Sequence, residues 1–310
     1  MKYFIYFLVL TNVPSHCDKS ANRRPFYVIG HMVNSIDEVT YFLSSGANVL
    51  ELDVAFFNNG SIHQVFHGVP CDCMRSCTQK SDFSNYLQFV RSITTPSVGK
   101  YFNQLTLLYF DLKLANVYDK FEAGQQLAQH IYEDLWETDS KNMMKVVVSI
   151  NSIYNQDVIR GFLQRFRELN LTTLLNDYVA FDGGISDLSL IEEMWERHGL
   201  KNSNIWQGDG TTNCFSQLYP DTRLQQALNA RDSNSSSFDK VYHWTIDSKQ
   251  RMRSSLDMAV DGIITNAPAV LKDIIENEDP YTQQFSLATI QENPFQKFFS
   301  DTSSASLKCS

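Results

Sequence analysis

The sequence predicts a single-domain α/β protein built as a (β/α)8 TIM barrel, and three observations carry that prediction. Eight short runs rich in β-branched and aromatic residues alternate with longer segments of helical periodicity over about 250 residues. Most of the short runs are nearly continuous in apolar residues, as parallel strands covered on both faces are. No glycine-rich dinucleotide or phosphate loop follows the first run, which disfavours the doubly wound sheet that competes for the same alternation.

In chain order the predicted strands are FYVIGHMV (26–33), NVLELDVAFF (48–57), LTLLYFDLKL (105–114), KVVVSI (145–150), DYVAFDG (177–183), NIWQGDG (204–210), KVYHWTID (240–247) and DGIITN (261–266). Amphipathic segments such as SIDEVTYFLSSG, QDVIRGFLQRFREL and SLIEEMWERHG lie between them. Several open with Ser, Asn or Asp at a capping position, and two close with a glycine, Gly46 and Gly199. A long insertion, residues 58–104, separates the second and third strands. The segment after Asp279 carries no strand pattern, and about 300–310 reads as a flexible tail. No linker divides residues 16–310, which read as one catalytic domain.

The chain is 43% hydrophobic and 20% charged, enough apolar material for a large core. A net charge of −9 without a basic cluster excludes a nucleic-acid binder, because phosphate contacts need grouped Lys and Arg. Residues 1–15, with Lys2, an apolar run from Tyr3 to Leu10 and small residues at Val13 and Ser15, read as a secretory signal peptide too short to span a bilayer. Sequons at Asn59, Asn170 and Asn234 are compatible with export as a glycoprotein. Six cysteines in an oxidising compartment are read as disulfides by default.

Ionisable residues gather at the C-terminal ends of the strands, where barrels of this type carry their active sites. The first strand ends in Gly30 and His31. The second carries Glu51 and Asp53 and the third Asp111 and Lys113, each pair at i, i+2 and so on one face. The sixth ends in Gln207 and Asp209, the seventh in Trp244 and Asp247, the eighth in Asn266. Glu51, Asp53 and Asp111 offer three oxygen ligands suited to a hard cation such as Mg2+; the competing reading is a structural ion-pair layer with Lys113 as counterion. His31 in GHMVN and His67 in FHGVP could act as an acid/base pair near neutral pH. Beside His67, FHGVPCDCMRSC packs Cys71, Cys73 and Cys77 together. Zinc is the rival to disulfides there, with no second CxxC or His pair to support it.

The segments RRPFYVIGHMVN, GANVLELDV, FHGVPCDCMRSC, FDLK, WQGDGTTNC, VYHWTID and DGIITN resemble, in order and spacing, the arachnid phospholipase D toxins, the sphingomyelinase D or dermonecrotic toxins of spiders, ticks and mites. The resemblance covers about residues 22–299. It implies a glycerophosphodiester phosphodiesterase-like barrel sealed by a C-terminal plug segment, matched by ATIQENPF. It also implies that His31 and His67 are the acid/base and nucleophile-activating histidines and that Glu51, Asp53 and Asp111 hold one Mg2+. Lys113, Tyr242, Trp244, Asp247 and Asn266 are implied to line the substrate pocket and support the histidines, with Tyr242 or Trp244 facing a quaternary ammonium. The implied disulfides are Cys71 with Cys77 and Cys73 with Cys214, leaving Cys17 and Cys309.

What the family implies about activity is a secreted, monomeric enzyme acting on sphingomyelin and lysophospholipids at a membrane or lipoprotein surface. It expels the headgroup by attack of the substrate's own hydroxyl, giving a cyclic phosphate. Two rival readings remain: a secreted phosphodiesterase releasing open products, and a non-catalytic lipid-binding barrel. The sequence departs from the spider pattern at Gly208, His243, Ala267 and Phe295, none of them a catalytic position.

Overall fold

Eight parallel strands close on themselves in the computed structural model, which describes residues 23–136, 143–233 and 235–298. In chain order the strands are β1 (Arg24–Gly30), β2 (Val49–Phe56), β3 (Ile62–Phe66), β4 (Lys80–Ser81), β5 (Leu107–Lys113), β6 (Lys145–Ser149), β7 (Val179–Asp182), β8 (Asn204–Gly210), β9 (Phe238–Trp244), β10 (Gly262–Thr265) and β11 (Phe285–Leu287). Parallel pairing runs β1-β2-β5-β6-β7-β8-β9-β10 and returns to β1, with Ile29 opposite Val49 at one seam and Tyr27 opposite Gly262 at the other. All eight predicted barrel strands form, with ends shifted by a few residues.

The helices are α1 (Ile36–Ser44), α2 (Phe83–Thr94), α3 (Lys120–His130), α4 (Asp157–Glu168), α5 (Leu175–Tyr178), α6 (Leu188–Arg197), α7 (Thr222–Asp232), α8 (Lys249–Asp257), α9 (Pro268–Asn277) and α10 (Tyr281–Gln284). Their starts follow the sequence. The Ser35 side chain accepts from the Glu38 amide, and the Asp187 carboxylate from the Ser189 and Leu190 amides. Between α3 and α4 a Cβ on Gly124 would strike the Val158 carbonyl and one on Gly161 the Phe121 carbonyl, so only glycine lets these two backbones approach so closely.

Two apolar layers follow from the period of two along each strand. Residues such as Val28, Leu50, Phe110 and Val148 point outward and pack under the helices. Tyr27, Ile29, Val49, Leu107, Tyr109, Val147, Ala180, Trp206 and Tyr242 fill the barrel interior, with Ala288 and Phe295 packed against them. The Trp206 indole donates to the Pro294 carbonyl (3.0 Å) and the Asn48 amide to that of Ala288 (2.9 Å), so the plug segment seals the barrel.

One sequence expectation is corrected. The segment after Asp279 does contain a strand: β11 pairs with Arg24–Phe26, the stretch of β1 that extends past its barrel partner, and Phe285 sets edge-on against Phe26 (centroids 5.4 Å apart). The insertion is also structured, with β3 folding back antiparallel on β2, β4 following it, and α2 burying Phe83, Tyr86, Leu87 and Val90. Residues 1–15 and 300–310, Cys17, Cys309 and Asn234 lie outside the described residues, while Asn59 and Asn170 are exposed. Among the described residues no helix is long and apolar enough to cross a membrane.

His243, on the barrel wall, is an acid-sensitive group. His243 faces away from the barrel interior; Ser255 Oγ donates to the Arg251 carbonyl (2.9 Å), so the 2.9 Å contact requires His243 Nδ1 to donate to Ser255 Oγ. Burial first, and then the Arg251 charge, lowers its pKa from 6.5 to about 4. The unfolded chain therefore takes up a proton near 6.5 that the fold refuses until about 4. Stability is full above 6.5 and falls by roughly 3 kcal/mol as pH drops towards 4. His243→Gln, which keeps a donor and never titrates, is expected to flatten this acid limb in thermal unfolding from pH 7 to pH 4. An unchanged slope refutes the assignment.

Candidate active site

Parallel register sets Asp53 of β2 beside Asp111 of β5, and the alternation along β2 brings Glu51 to the same face. The three residues each offer a carboxylate oxygen within 4.8 Å of the others. Each carboxylate is anchored through its other oxygen. Glu51 Oε2 accepts from the Met32 amide (2.6 Å), Asp53 Oδ2 from Asn34 Nδ2 (2.6 Å) and Asp111 Oδ1 from Asn151 Nδ2 (2.5 Å).

The remaining oxygens converge, and the Lys113 ammonium stands 2.6 Å from both Asp53 Oδ1 and Asp111 Oδ2. Burial alone would lower the Lys113 pKa; Asp111, Asp53 and Glu51 override it and hold the amine charged. Burial, Asp53 and Asp111 together push the Glu51 carboxyl well above its ordinary range. A buried set of three acids with one Lys is short of positive charge. Pre-oriented carboxyl oxygens that share a single ammonium among three acids fit a hard divalent ion.

His31 and His67 open onto the same cavity as this cluster. His67 Nδ1 contacts the Gly68 carbonyl at 2.7 Å, and since a carbonyl only accepts, Nδ1 carries the proton. His31 is fixed by a longer chain. Asp247 Oδ2 accepts from Asn266 Nδ2 (2.9 Å), which turns Asn266 Oδ1 towards His31 Nδ1 at 3.1 Å and makes that nitrogen the donor. Among the described residues neither ring's Nε2 has a hydrogen-bond partner. Burial lowers the His31 pKa against the pull of Asp72, Asp53 and Asp247.

The cysteine stretch is a clasp. Cys71 pairs with Cys77 (Cα–Cα 5.3 Å) and Cys73 with Cys214 (5.5 Å), joining the loop after β3 to the loop after β8. The clasp delivers two residues that sequence reasoning missed. Asp72 accepts from Thr212 Oγ1 (2.5 Å) and sets its other oxygen 3.5 Å from His31 Nδ1. Arg75 donates to the carbonyls of His31 and Met32 (3.1 and 2.9 Å) and pairs with Glu38 (2.8 Å).

The cavity, about 310 Å3, is lined by His31, Glu51, His67, Asp111, Lys113 and Trp244 among others. Tyr242 lines it too but is buried, its hydroxyl 2.5 Å from that of Tyr109 and 3.3 Å from Asp182. Asp182 was missed as well; Ser149 Oγ and the Gly184 and Gly208 amides fill its oxygens, and burial raises its pKa. Two of the implied pocket residues, Asp247 and Asn266, stand behind His31 and not on the wall. Gln207 and Asp209 do not reach the cavity: they alternate with Trp206 and Gly208, so Asp209 points outward to Arg223 (2.9 Å).

Solved structures share this architecture. A glycerophosphodiester phosphodiesterase from Parabacteroides distasonis is 18% identical with a TM-score of 0.51, the alignment covering 82% of this chain and 98% of that one. A phosphodiesterase from Oleispira antarctica, in complex with sn-glycerol-3-phosphate, is 13% identical with a TM-score of 0.50 at the same coverage. In sequence, the chain is 36% identical to dermonecrotic toxin LgSicTox-alphaIC1 of Loxosceles gaucho over 89% of its length and 99% of the toxin's. It is 38% identical to dermonecrotic toxin SPH of Ixodes scapularis over 91% of its length and 78% of that protein's. The family model for dermonecrotic toxin SPH matches residues 21–295. On that span of sequence, over a barrel with its clasp and carboxylate cluster in place, the chain belongs to the dermonecrotic toxin SPH family.

Proposed function

We propose that the chain is a secreted, monomeric phospholipase D of the sphingomyelinase D type that uses one Mg2+ ion and acts on sphingomyelin and lysophospholipids at a membrane or lipoprotein surface. The substrate's own hydroxyl attacks phosphorus, a P–O bond to it forms, the P–O bond to choline or another headgroup breaks, and the product is a cyclic phosphate. From sphingomyelin that product is ceramide 1,3-cyclic phosphate; from a lysophospholipid it is cyclic lysophosphatidic acid. One observation carries the reading: two histidines, each with Nδ1 already committed, share a cavity with a three-carboxylate cluster.

Burial keeps His31 neutral at neutral pH, so its Nε2 takes the proton of the attacking hydroxyl. His67 delivers a proton to the departing headgroup oxygen, and the two transfers leave no net proton gained. When bound, an ion held by Glu51, Asp53 and Asp111 supplies positive charge for the phosphate oxygens. Lys113 keeps a second positive charge at the cluster. Trp244, half-buried in the wall, offers its ring face to a quaternary ammonium, an interaction worth about 0.5–2 kcal/mol. Asp247 and Asn266 act through His31 as positioning residues.

Phosphorus NMR on sphingomyelin and lysophosphatidylcholine, with and without chelator, tests the reading. A cyclic phosphate that disappears with the chelator is expected. An open monoester as first product would make the chain a hydrolase, and binding without turnover would make it a lipid-binding barrel. Asp247→Asn is expected to lower kcat at least about tenfold with KM unchanged, because an amide at 247 turns Asn266 over and presents the wrong group to His31 Nδ1. Equal losses in kcat and stability would reduce that chain to scaffolding.

A further inference from the structure

We infer that the mouth of the barrel is itself a docking surface for an electrically neutral lipid bilayer, held by apolar insertion and not by charge. The inference rests on the proposed lipid substrate and adds how the protein meets it. Among the described residues, eleven large apolar side chains are exposed; Tyr41 and Leu190 lie on helices α1 and α6 and Val98 follows α2, while the other eight lie on loops that follow strands. The six on the loops around the cavity are Val69, Met74, Tyr154, Ile185, Phe215 and Leu218, and Ile185 also lines the cavity. Val69, Tyr154 and Leu218 are 89%, 84% and 84% exposed. Scattered apolar residues on a surface need no explanation; gathering on the one face where the active-site cavity opens does.

The occupant follows from size and charge. The cavity, about 310 Å3, is at the low end for a ligand site and has room for a headgroup and its phosphate, so the hydrocarbon chains stay outside it, at the level of these six side chains. The loops that carry them, 68–77, 151–156, 183–187 and 211–220, contain one cation, Arg75, and it is paired with Glu38 at 2.8 Å. They also contain Asp72 and Asp187, and the chain carries a net −9. Anionic lipids are repelled by such a face, whereas a phosphocholine surface accepts it. The Cys73–Cys214 disulfide ties the loop with Val69 and Met74 to the loop with Phe215 and Leu218, and Cys71–Cys77 closes the first loop on itself, so part of the ring is fixed before contact.

The test is cosedimentation with phosphatidylcholine and sphingomyelin vesicles, alongside turnover of the same lipid in vesicles and of a short-chain monomeric analogue. Phe215→Glu with Leu218→Glu is expected to weaken vesicle binding and vesicle turnover by about tenfold or more while leaving the monomeric substrate untouched. Tyr154→Glu, on a separate loop, is expected to do the same, and Val98→Glu on the far side nothing. Binding by the parent protein is expected to persist at high salt and to weaken as phosphatidylserine is added. Unaltered binding by both mouth variants, binding that needs phosphatidylserine or is lost in salt, or a dimer that the glutamates dissociate would each overturn the inference. If the monomeric analogue is never cleaved but the variants still lose the vesicle, the functional reading has failed and the docking surface stands.

Discussion

His31→Asn is expected to lower lipid turnover by about 10²- to 10⁴-fold, the range over which a positioned proton carrier acts, with little change in unfolding temperature. The side chain is not part of the apolar core. Its partners Asn266 and Asp72 remain held by Asp247 and Thr212 when it is gone. The pH profile carries the sharper signature. Because burial lowers the His31 pKa below 6.5, the parent enzyme's kcat/KM should fall on the acid side only below that value, as the neutral base is lost. In the variant the residual rate should no longer show that limb. Steady-state kinetics across pH 4 to 8 on both proteins checks this, and turnover that survives the substitution undiscounted places the base elsewhere.

The parts of this site that could be read from the sequence are those governed by a single strand. Glu51 with Asp53 and Asp111 with Lys113 stand out because charges two apart inside apolar runs must share a face, and the barrel fixes which end they occupy. The same period explains the misreading of Gln207 and Asp209, which are one step out of phase with Trp206 and Gly208 and so leave the interior, Asp209 for Arg223 on α7 and Gln207 for the Gly184 carbonyl. What could not be read depends on pairs far apart in sequence. Asp72 meets His31 only because Cys73 reaches Cys214 across 141 residues. Asp182 is one acid at the end of a short strand, and its place in the floor emerges only from Ser149, Tyr242 and the Gly208 amide arriving from three other strands. β11 escaped notice because Phe285–Leu287 gains its strand character from the free edge of β1 and not from its own pattern.

Glu51→Gln is expected to abolish turnover and, in the same protein, the stabilisation that Mg2+ gives the parent. In the ion-free parent burial, Asp53 and Asp111 push the Glu51 carboxyl well above its ordinary pKa, so its charged form is disfavoured there and a neutral glutamine costs the ion-free fold little. An ion at about 100 times its Kd adds about 2.7 kcal/mol to the parent. That corresponds to roughly 4–5 °C in a chain of this size. Ion binding requires the charged form of Glu51 that the empty cluster disfavours, so the shift should grow as pH rises. Calorimetry with chelator and then with added Mg2+ on both proteins separates the two accounts of the cluster. If Lys113 is simply the counterion of a structural layer, the parent gains nothing from Mg2+, and Lys113→Met destabilises it by leaving Asp53 and Asp111 uncompensated. If the cluster is a metal site, the parent gains the shift, Glu51→Gln loses it, and the loss of turnover tracks the loss of the ion.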